Sequence, residues 1–470
     1  MKTRYRVSPA TALVLASLLA GVCPGAADPL QFTHAQRIPE GLSLQWNSAG
    51  GDFAYTVQAR EGWGNPLWLL PAASQPWPVT ETAWVAPVSA PARFYRVIAV
   101  PAAARGKLLH RALHSTLATN QIAPLLELLD APLTAEFDVQ LYTLAYETID
   151  PLGARTVATA AMALPVGAGE CPLISYQHGT LTRTNEAPSA MNLYGEPALG
   201  VVLATSGYAC VLPDYLGLGG SPGLHPYHHA RSEATACVDA LRAARVLCAE
   251  RGVVLNGQLF LVGYSQGGHA TMALHRELEM YHTAEFTITA SAPMAGAYDL
   301  SGVTTADTLS GRPQPNPYYF AYLLAAYQAV YHLAPTLGDL LRPPYRTTLP
   351  PLFNGTVSGA QINAALPANP LDILQPAWLA DFRTNAHHVL RQALRDNDLW
   401  AWTPQRPMRL YHCASDQDVV PANSAVAWAE FHQRGATQVE LLDPDPTADH
   451  TDCIAPSLLS AKAWFDSLKQ

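Results

Sequence analysis

Leu259-Phe260-Leu261-Val262-Gly263-Tyr264-Ser265-Gln266-Gly267-Gly268 is the stretch on which the reading of this chain turns. Its four leading apolar residues predict a buried strand, and Gly267 to Tyr281 reads as a helix. Between them a Gly-x-Ser-x-Gly pattern puts Ser265 on a sharp strand-to-helix turn, with glycines where side chains would clash. A serine hydroxyl is a weak nucleophile at neutral pH. It needs a histidine base, an acid to orient that base, and backbone amides to hold the oxyanion. The pattern occurs again as Gly219-Gly220-Ser221-Pro222-Gly223. There Tyr215 to Leu218 does not read as a strand and Pro222-Gly223 starts no helix, which assigns Ser221 to a loop.

Outward from Ser265, strands alternate with helices. Leu173 to Tyr176, Tyr208 to Leu212, Ile288 to Ala292, Met408 to Tyr411 and Val439 to Leu442 read as strands. Ser232 to Glu250, Ala422 to Gln433 and Ser457 to Leu468 read as helices. That alternation predicts a mostly parallel sheet covered by helices. On such a sheet the acid and then the histidine follow the serine, each after a later strand. Asp416 and Asp418 lie after Met408 to Tyr411, and spacing leaves the choice between them open. Of the 16 histidines, His450 alone falls between the last strand and the C-terminal helix. Tyr227-His228-His229 and His387-His388 read as surface or packing residues. For the oxyanion, the candidate amides are those of Gln266 and Thr180. The latter ends Gln177-His178-Gly179-Thr180, where Gly179 would allow close backbone approach. From about 301 to 405 the alternation breaks into a Pro-rich insertion, with helices over Pro317 to Tyr331 and Pro376 to Leu394. Its Tyr318, Tyr319, Phe320, Tyr322, Tyr327 and Tyr331 either line an acyl pocket or pack within the insertion.

The first hundred residues differ. Lys2, Arg4 and Arg6 precede an apolar run from Ala10 to Val22, and Gly25-Ala26-Ala27 suits cleavage, so residues 1–27 read as a signal peptide. Pro24 ends that run short of the roughly 20 residues a membrane anchor needs. Val22 fits poorly before a lipidated Cys23. Period-two patterns at Leu42, Leu44 and Trp46, at Phe53, Tyr55 and Val57, and at Phe94, Arg96 and Ile98 predict a small β-sandwich over 28–100. Residues 101–106 read as a linker and 107–470 as the catalytic domain.

Charged residues make up 14% and apolar residues 49% of the 470, which favours a large core over disorder. A net charge of −9 without a basic cluster argues against nucleic acid as a partner. Beyond Cys23, six cysteines remain at 171, 210, 237, 248, 413 and 453. They form no CxxC pair or zinc spacing, so no metal is expected. Cys413 and Cys453 each sit within a few residues of a proposed site residue, and either a bridge or two free thiols would suit that placement.

Several stretches together resemble the secretory lipase family of the α/β-hydrolases, over about 140–470. They are Pro172-Leu173-Ile174-Ser175-Tyr176-Gln177-His178-Gly179-Thr180, Pro213-Asp214-Tyr215-Leu216-Gly217-Leu218-Gly219, Asp239-Ala240-Leu241-Arg242-Ala243-Ala244-Arg245, Gly263 to Gly268, Ser415-Asp416-Gln417-Asp418-Val419-Val420-Pro421, and His450. The resemblance implies an α/β-hydrolase fold with a helical lid insertion, a Ser265–His450–Asp416 triad, and ester hydrolysis without a cofactor. It favours Asp416 over Asp418, although the Asp-x-Asp spelling departs from the family's single acid. The N-terminal segment lies outside it and is similar to fibronectin type III modules, through Leu42 to Trp46, Tyr55 to Gln58 and Arg93 to Val97. The expectation is an exported, lipase- or esterase-like serine hydrolase acting on a small-molecule or lipid ester through an acyl-enzyme. A lipid-interface contact, a carbohydrate contact by the N-terminal module or a plain accessory role for it, and the oligomeric state stay open. A peptidase or amidase on the same fold, and a non-catalytic binding protein on a hydrolase scaffold, are the rival readings.

Overall fold

The computed structural model describes residues 30–62, 65–71, 77–87, 93–128 and 131–470. The signal-peptide reading of residues 1–27 lies outside them. The chain divides into two compact units, one ending at Ala103 and including Leu152–Arg155, the other formed by Ala104–Pro151 and Thr156–Gln470.

In the first unit, β1 (Phe32–Ile38), β2 (Gly41–Trp46) and β4 (Ala83–Pro87) form one antiparallel sheet, and β3 (Phe53–Glu61) pairs with β5 (Arg93–Pro101) in another. The two sheets close over Leu44, Trp46, Tyr55, Val57, Trp84 and Tyr95. Trp46 meets Tyr55 edge-on at 5.5 Å. In β5 it is Tyr95, Val97 and Ala99 that pack on this core, not Phe94, Arg96 and Ile98. The Arg96 guanidinium lies over the Trp68 ring, and its Nε donates to Gln58.

The second unit is built on a nine-stranded sheet in the order β14-β13-β12-β11-β9-β10-β8-β7-β6. These strands are β6 (Leu108–Leu117), β7 (Val139–Ile149), β8 (Arg155–Pro165), β9 (Glu170–Gln177), β10 (Ala209–Pro213), β11 (Val254–Tyr264), β12 (Ala290–Met294), β13 (Met408–Tyr411) and β14 (Val439–Leu442). From β14 to β10 every pairing is parallel, whereas β10 with β8 and β6 with β7 are antiparallel. The central strands bury both faces, which is why they read as continuous apolar runs. Ile174, Tyr176, Phe260 and Val262 pack on one face with α2 (Pro197–Thr205) and α13 (Ile454–Leu468). Leu173, Leu259 and Leu261 pack on the other with α3 (Ala230–Arg251) and α4 (Gln266–Tyr281). Short α1 (Thr119–Leu128) completes this part, and α12 (Ala422–Gln433) lies between β13 and β14.

Between β12 and β13 the chain makes an insertion of short helices: α5 (Thr305–Leu309), α6 (Tyr318–Tyr331), α7 (Leu337–Leu340), α8 (Tyr345–Thr348), α9 (Gly359–Ala364), α10 (Pro376–Thr384) and α11 (Val389–Asp396). The single helix expected from Pro376 to Leu394 is therefore two. Asn385 turns to extended backbone, and the His388 ring accepts from the Leu390 amide to cap a new start.

The arrangement depends on how closely four backbones approach at the end of β11. A Cβ on Gly267 would stand 2.0 Å from the Gln177 carbonyl oxygen, one on Gly268 would stand 2.1 Å from that of Met294, and one on Gly263 would stand 2.5 Å from that of Gly267. A Cβ on Gly179, by contrast, would meet no protein atom nearer than Tyr264 O at 3.7 Å, an ordinary contact. Gly267→Ala is accordingly expected to destabilise the fold by on the order of 4 kcal/mol or prevent folding, whereas Gly179→Ala should stay within about 0.5 kcal/mol. Chemical denaturation of both variants checks this, and equal stabilities would contradict it.

Candidate active site

Ser265 stands between β11 and α4 with φ 61° and ψ −119°, a conformation that costs a non-glycine residue about 1–3 kcal/mol. The surroundings hold it there. Its amide donates to Met294 O at 2.9 Å, and its carbonyl accepts from the His269 amide at 3.1 Å. The turn aims the hydroxyl toward the loop after β14, where Ser265 Oγ lies 2.8 Å from His450 Nε2. On the far side of the ring, Nδ1 lies 2.6 Å from Asp416 Oδ2. An ionised carboxylate only accepts, so Nδ1 carries the proton and Nε2 is left to accept from serine.

Asp416 is fully buried and heavily tied. Its Oδ1 accepts from the amides of Asp418 and Val419, both at 2.9 Å, while Oδ2 also faces His412 Nε2 at 3.2 Å. Burial alone would raise its pKa, but the hydrogen bonds from His412 and His450 outweigh burial and hold the carboxyl well below the usual range. Asp418 instead accepts from Asn316 Nδ2 at 2.9 Å, and burial pushes its carboxyl up. Of the two acids the sequence left open, Asp416 is the one that meets His450.

The loops bearing Asp416 and His450 are joined by the Cys413–Cys453 disulfide, 40 residues apart in sequence. Cys171, Cys210, Cys237 and Cys248 are buried free thiols. Tyr264, the residue before the serine, donates its hydroxyl to His450 O at 2.7 Å and packs against the ring. Neither His412 nor Tyr264 was singled out from the sequence. The only signal for His412 was a histidine four residues before the acid.

Gln266 begins α4, and the first amides of a helix have no intrahelical acceptor. Thr180 follows β9 and is half-buried, its hydroxyl 2.9 Å from Tyr227 OH. Ser221 lies in a loop among glycines with structural work of their own. Gly217 has φ 73° and packs on the His225 backbone, and Gly219 packs on Asp214. The Ser221 hydroxyl is buried with no hydrogen-bond partner among the described residues. A cavity of about 180 Å³ is lined by Thr182, Leu218, His225, Tyr322, Phe353 and Ile362, among others. Of the six aromatics flagged in the insertion, Tyr322 lines it, whereas Tyr327 and Tyr331 pack on each other and donate to His228 O and Asp396.

The histidines read as surface or packing residues at 228 and 229 are buried, as is His225. His228, Glu233 and His269 bring ligand-type atoms within 4.8 Å of one another. A metal ligand must present a free lone pair. Both His269 nitrogens face oxygen acceptors, Glu233 Oε2 at 2.7 Å and Asn397 O at 3.3 Å. The group therefore reads as a hydrogen-bond network. Sequence reasoning missed Glu233 although a signal existed: an acid on the apolar stripe of α3 that carries Ala230, Cys237, Ala240 and Ala244.

With the geometry described, the chain can be set beside known proteins. Residues 193–303, which include Ser265 and Gln266 but neither Asp416 nor His450, match the model of the secretory lipase family. The rice cell wall degrading esterase LipA from Xanthomonas oryzae, in a ligand-bound form, is similar at 32% identity and a TM-score of 0.69, over 77% of this chain and 96% of that one. The chain belongs to the secretory lipase family. A putative hydrolase from Legionella pneumophila aligns at 28% identity and a TM-score of 0.72, over 77% of this chain and 98% of that one. Candida antarctica lipase A, at 18% identity and a TM-score of 0.57 over 78% and 83%, shares the fold. No curated protein matches. This member of the family is thus a lipase- or esterase-like hydrolase with the α/β-hydrolase fold. None of its described helices is long and apolar enough to cross a membrane.

The buried histidines carry a pH dependence. Burial pushes His225 down from 6.5 to about 4, and His228 and His229 to about 3. Each is neutral when folded but protonates in the unfolded chain below 6.5, so the stability they confer is present above that value and is lost as pH falls toward 4. His228 has φ 54°, which asparagine tolerates. His228→Asn should therefore flatten the fall in unfolding free energy between pH 6 and 5 by about 1.4 kcal/mol per pH unit, measured by urea titration. Asp398, which burial raises to about 6, contributes with opposite sign but is common to both proteins.

Proposed function

We propose that this chain is an exported serine carboxylic ester hydrolase in which Ser265 is the nucleophile, His450 the base and Asp416 the orienting acid. The observation that carries the proposal is the unbroken line of hydrogen bonds from Ser265 Oγ through the His450 ring to Asp416. As Ser265 attacks the ester carbonyl, its proton passes to His450 Nε2, and Asp416 stabilises the imidazolium that forms. The oxyanion is held by the amides of Gln266 and Thr180. His450 then protonates the departing alkoxide, leaving an acyl-enzyme that water cleaves with the same histidine as base. The likeness to an esterase supports ester over amide chemistry. The cavity beside His225 and Tyr322 is the proposed place for part of the ester. Residues 1–27 are read as the export signal, and the N-terminal β-unit as a fibronectin-like accessory module joined through 101–106 to the catalytic domain.

Ser265→Ala should abolish hydrolysis of a soluble p-nitrophenyl ester and labelling by a fluorophosphonate, while Ser221→Ala keeps most of both. The reverse pattern would refute the assignment.

Asp416→Asn should lower kcat by a factor on the order of ten thousand, as loss of the acid does in other triads. Asp418→Asn, which keeps an oxygen to accept from Asn316, should lose far less. Comparable losses at the two positions would mean that the acid is shared or lies elsewhere.

A further inference from the structure

Behind the proposed oxyanion amide lies a network the mechanism above does not use. Glu233 lies on the face of α3 that carries Ala230, Cys237, Ala240 and Ala244 and is 1% exposed. Its Oε1 accepts from Gln266 Nε2 at 2.9 Å and its Oε2 from His269 Nδ1 at 2.7 Å. Gln266 and His269 are three residues apart, so a single carboxylate grips two side chains in the first turn of α4. The other amide hydrogen of Gln266 points at His225 Nε2, 2.6 Å away. That nitrogen is an acceptor because His225 Nδ1 donates to Leu216 O at 2.8 Å. The Gln266 side chain is thus held from α3 on one side and from the loop after β10 on the other. A side chain fixed at both of its hydrogens leaves its own backbone amide little freedom to turn.

Charge sharpens the point. Burial would neutralise Glu233, yet the charge and hydrogen bond of His269, with the hydrogen bond from Gln266, bring it down from 4.5 to about 2.

We propose that Glu233 is a positioning residue which, through the Gln266 side chain, holds the Gln266 amide in line with the oxyanion, with His269 fixing the second oxygen of its carboxylate. This rests on the serine-hydrolase reading of the site. Positioning that acts on the oxyanion alone lowers kcat and leaves KM in place.

The test uses the full chain, a p-nitrophenyl ester, and a fluorophosphonate to titrate active sites so that misfolded protein is not counted. Glu233→Ala and Gln266→Ala, the latter keeping the backbone amide, should each lower kcat per titrated site by about 10- to 100-fold with KM within about twofold, a fraction of what removing a whole oxyanion donor costs. The double variant should lose no more than the worse single one, because both act through the same amide. Glu233→Gln, which still offers Gln266 an acceptor, should keep kcat within about threefold of the parent. If Glu233→Ala does not fold, Gln266→Ala and Glu233→Gln carry the test. Unchanged kcat per site in Gln266→Ala, or losses that multiply in the double variant, would overturn the proposal. Failure of the underlying reading would look different, as full activity in Ser265→Ala.

Discussion

Everything in the catalytic unit converges on a steric constraint: the backbones of β9, β11, β12 and α4 come together at one turn, at distances where no Cβ fits. Gly263, Gly267 and Gly268 meet the carbonyls of Gln177, Gly267 and Met294 where any side chain would collide. This close approach lets Ser265 sit in a conformation that costs a non-glycine residue free energy, because the neighbouring strands leave the turn no alternative. It also brings the start of α4, with its unsatisfied amides, against the end of β9. The elbow is rigid because it is crowded.

Near that turn the loops after β13 and β14 are tied together. The loops after β13 and β14 are far apart in sequence, yet the Cys413–Cys453 bridge joins them next to Asp416 and His450. Closing a loop of that length is worth about 4 kcal/mol in the chain-entropy model, and the same link limits how far the proposed acid and base can drift. Drift matters, since a displacement of about 1 Å can cost about a hundredfold in rate. His412 and Tyr264 tighten the same region without being candidates for the chemistry themselves: one backs the acid, the other grips the carbonyl of His450. The geometry therefore depends on a supporting layer at least as large as the three residues it supports.

The interior of this layer is unusually polar. Asp214, Glu233, Asp239, His225, His228, His229 and His269 are all buried within the catalytic unit. Most buried polar groups need a partner to be tolerated, and here the partners are mainly carbonyls, hydroxyls and one another. The cost is sensitivity to acid, because His225, His228 and His229 are held neutral by burial. The benefit is orientation, since hydrogen bonds fix direction where apolar contacts do not.

Taken alone, the sequence determined what periodicity and turn chemistry encode locally. The strand–Gly-x-Ser-x-Gly–helix stretch, the limits of β13, β14, α6 and α12, and the helical break in alternation between β12 and β13 all follow from residues close together in the chain. It went astray where a nearby side chain outside the pattern intervened. The His388 cap splits one expected helix into two. Tertiary structure decided whatever depends on residues distant in sequence. Asp416 and Asp418 are two residues apart and identical in kind. Only the folded loop turns one toward His450 and the other toward Asn316. Glu233 is 33 residues from Gln266 and looks like a stray acid in an alanine-rich helix until α3 packs on α4. The antiparallel edge of the sheet was likewise invisible, since strand direction depends on which neighbour a strand meets. Local pattern reports which face of an element is buried, but not what lies against it.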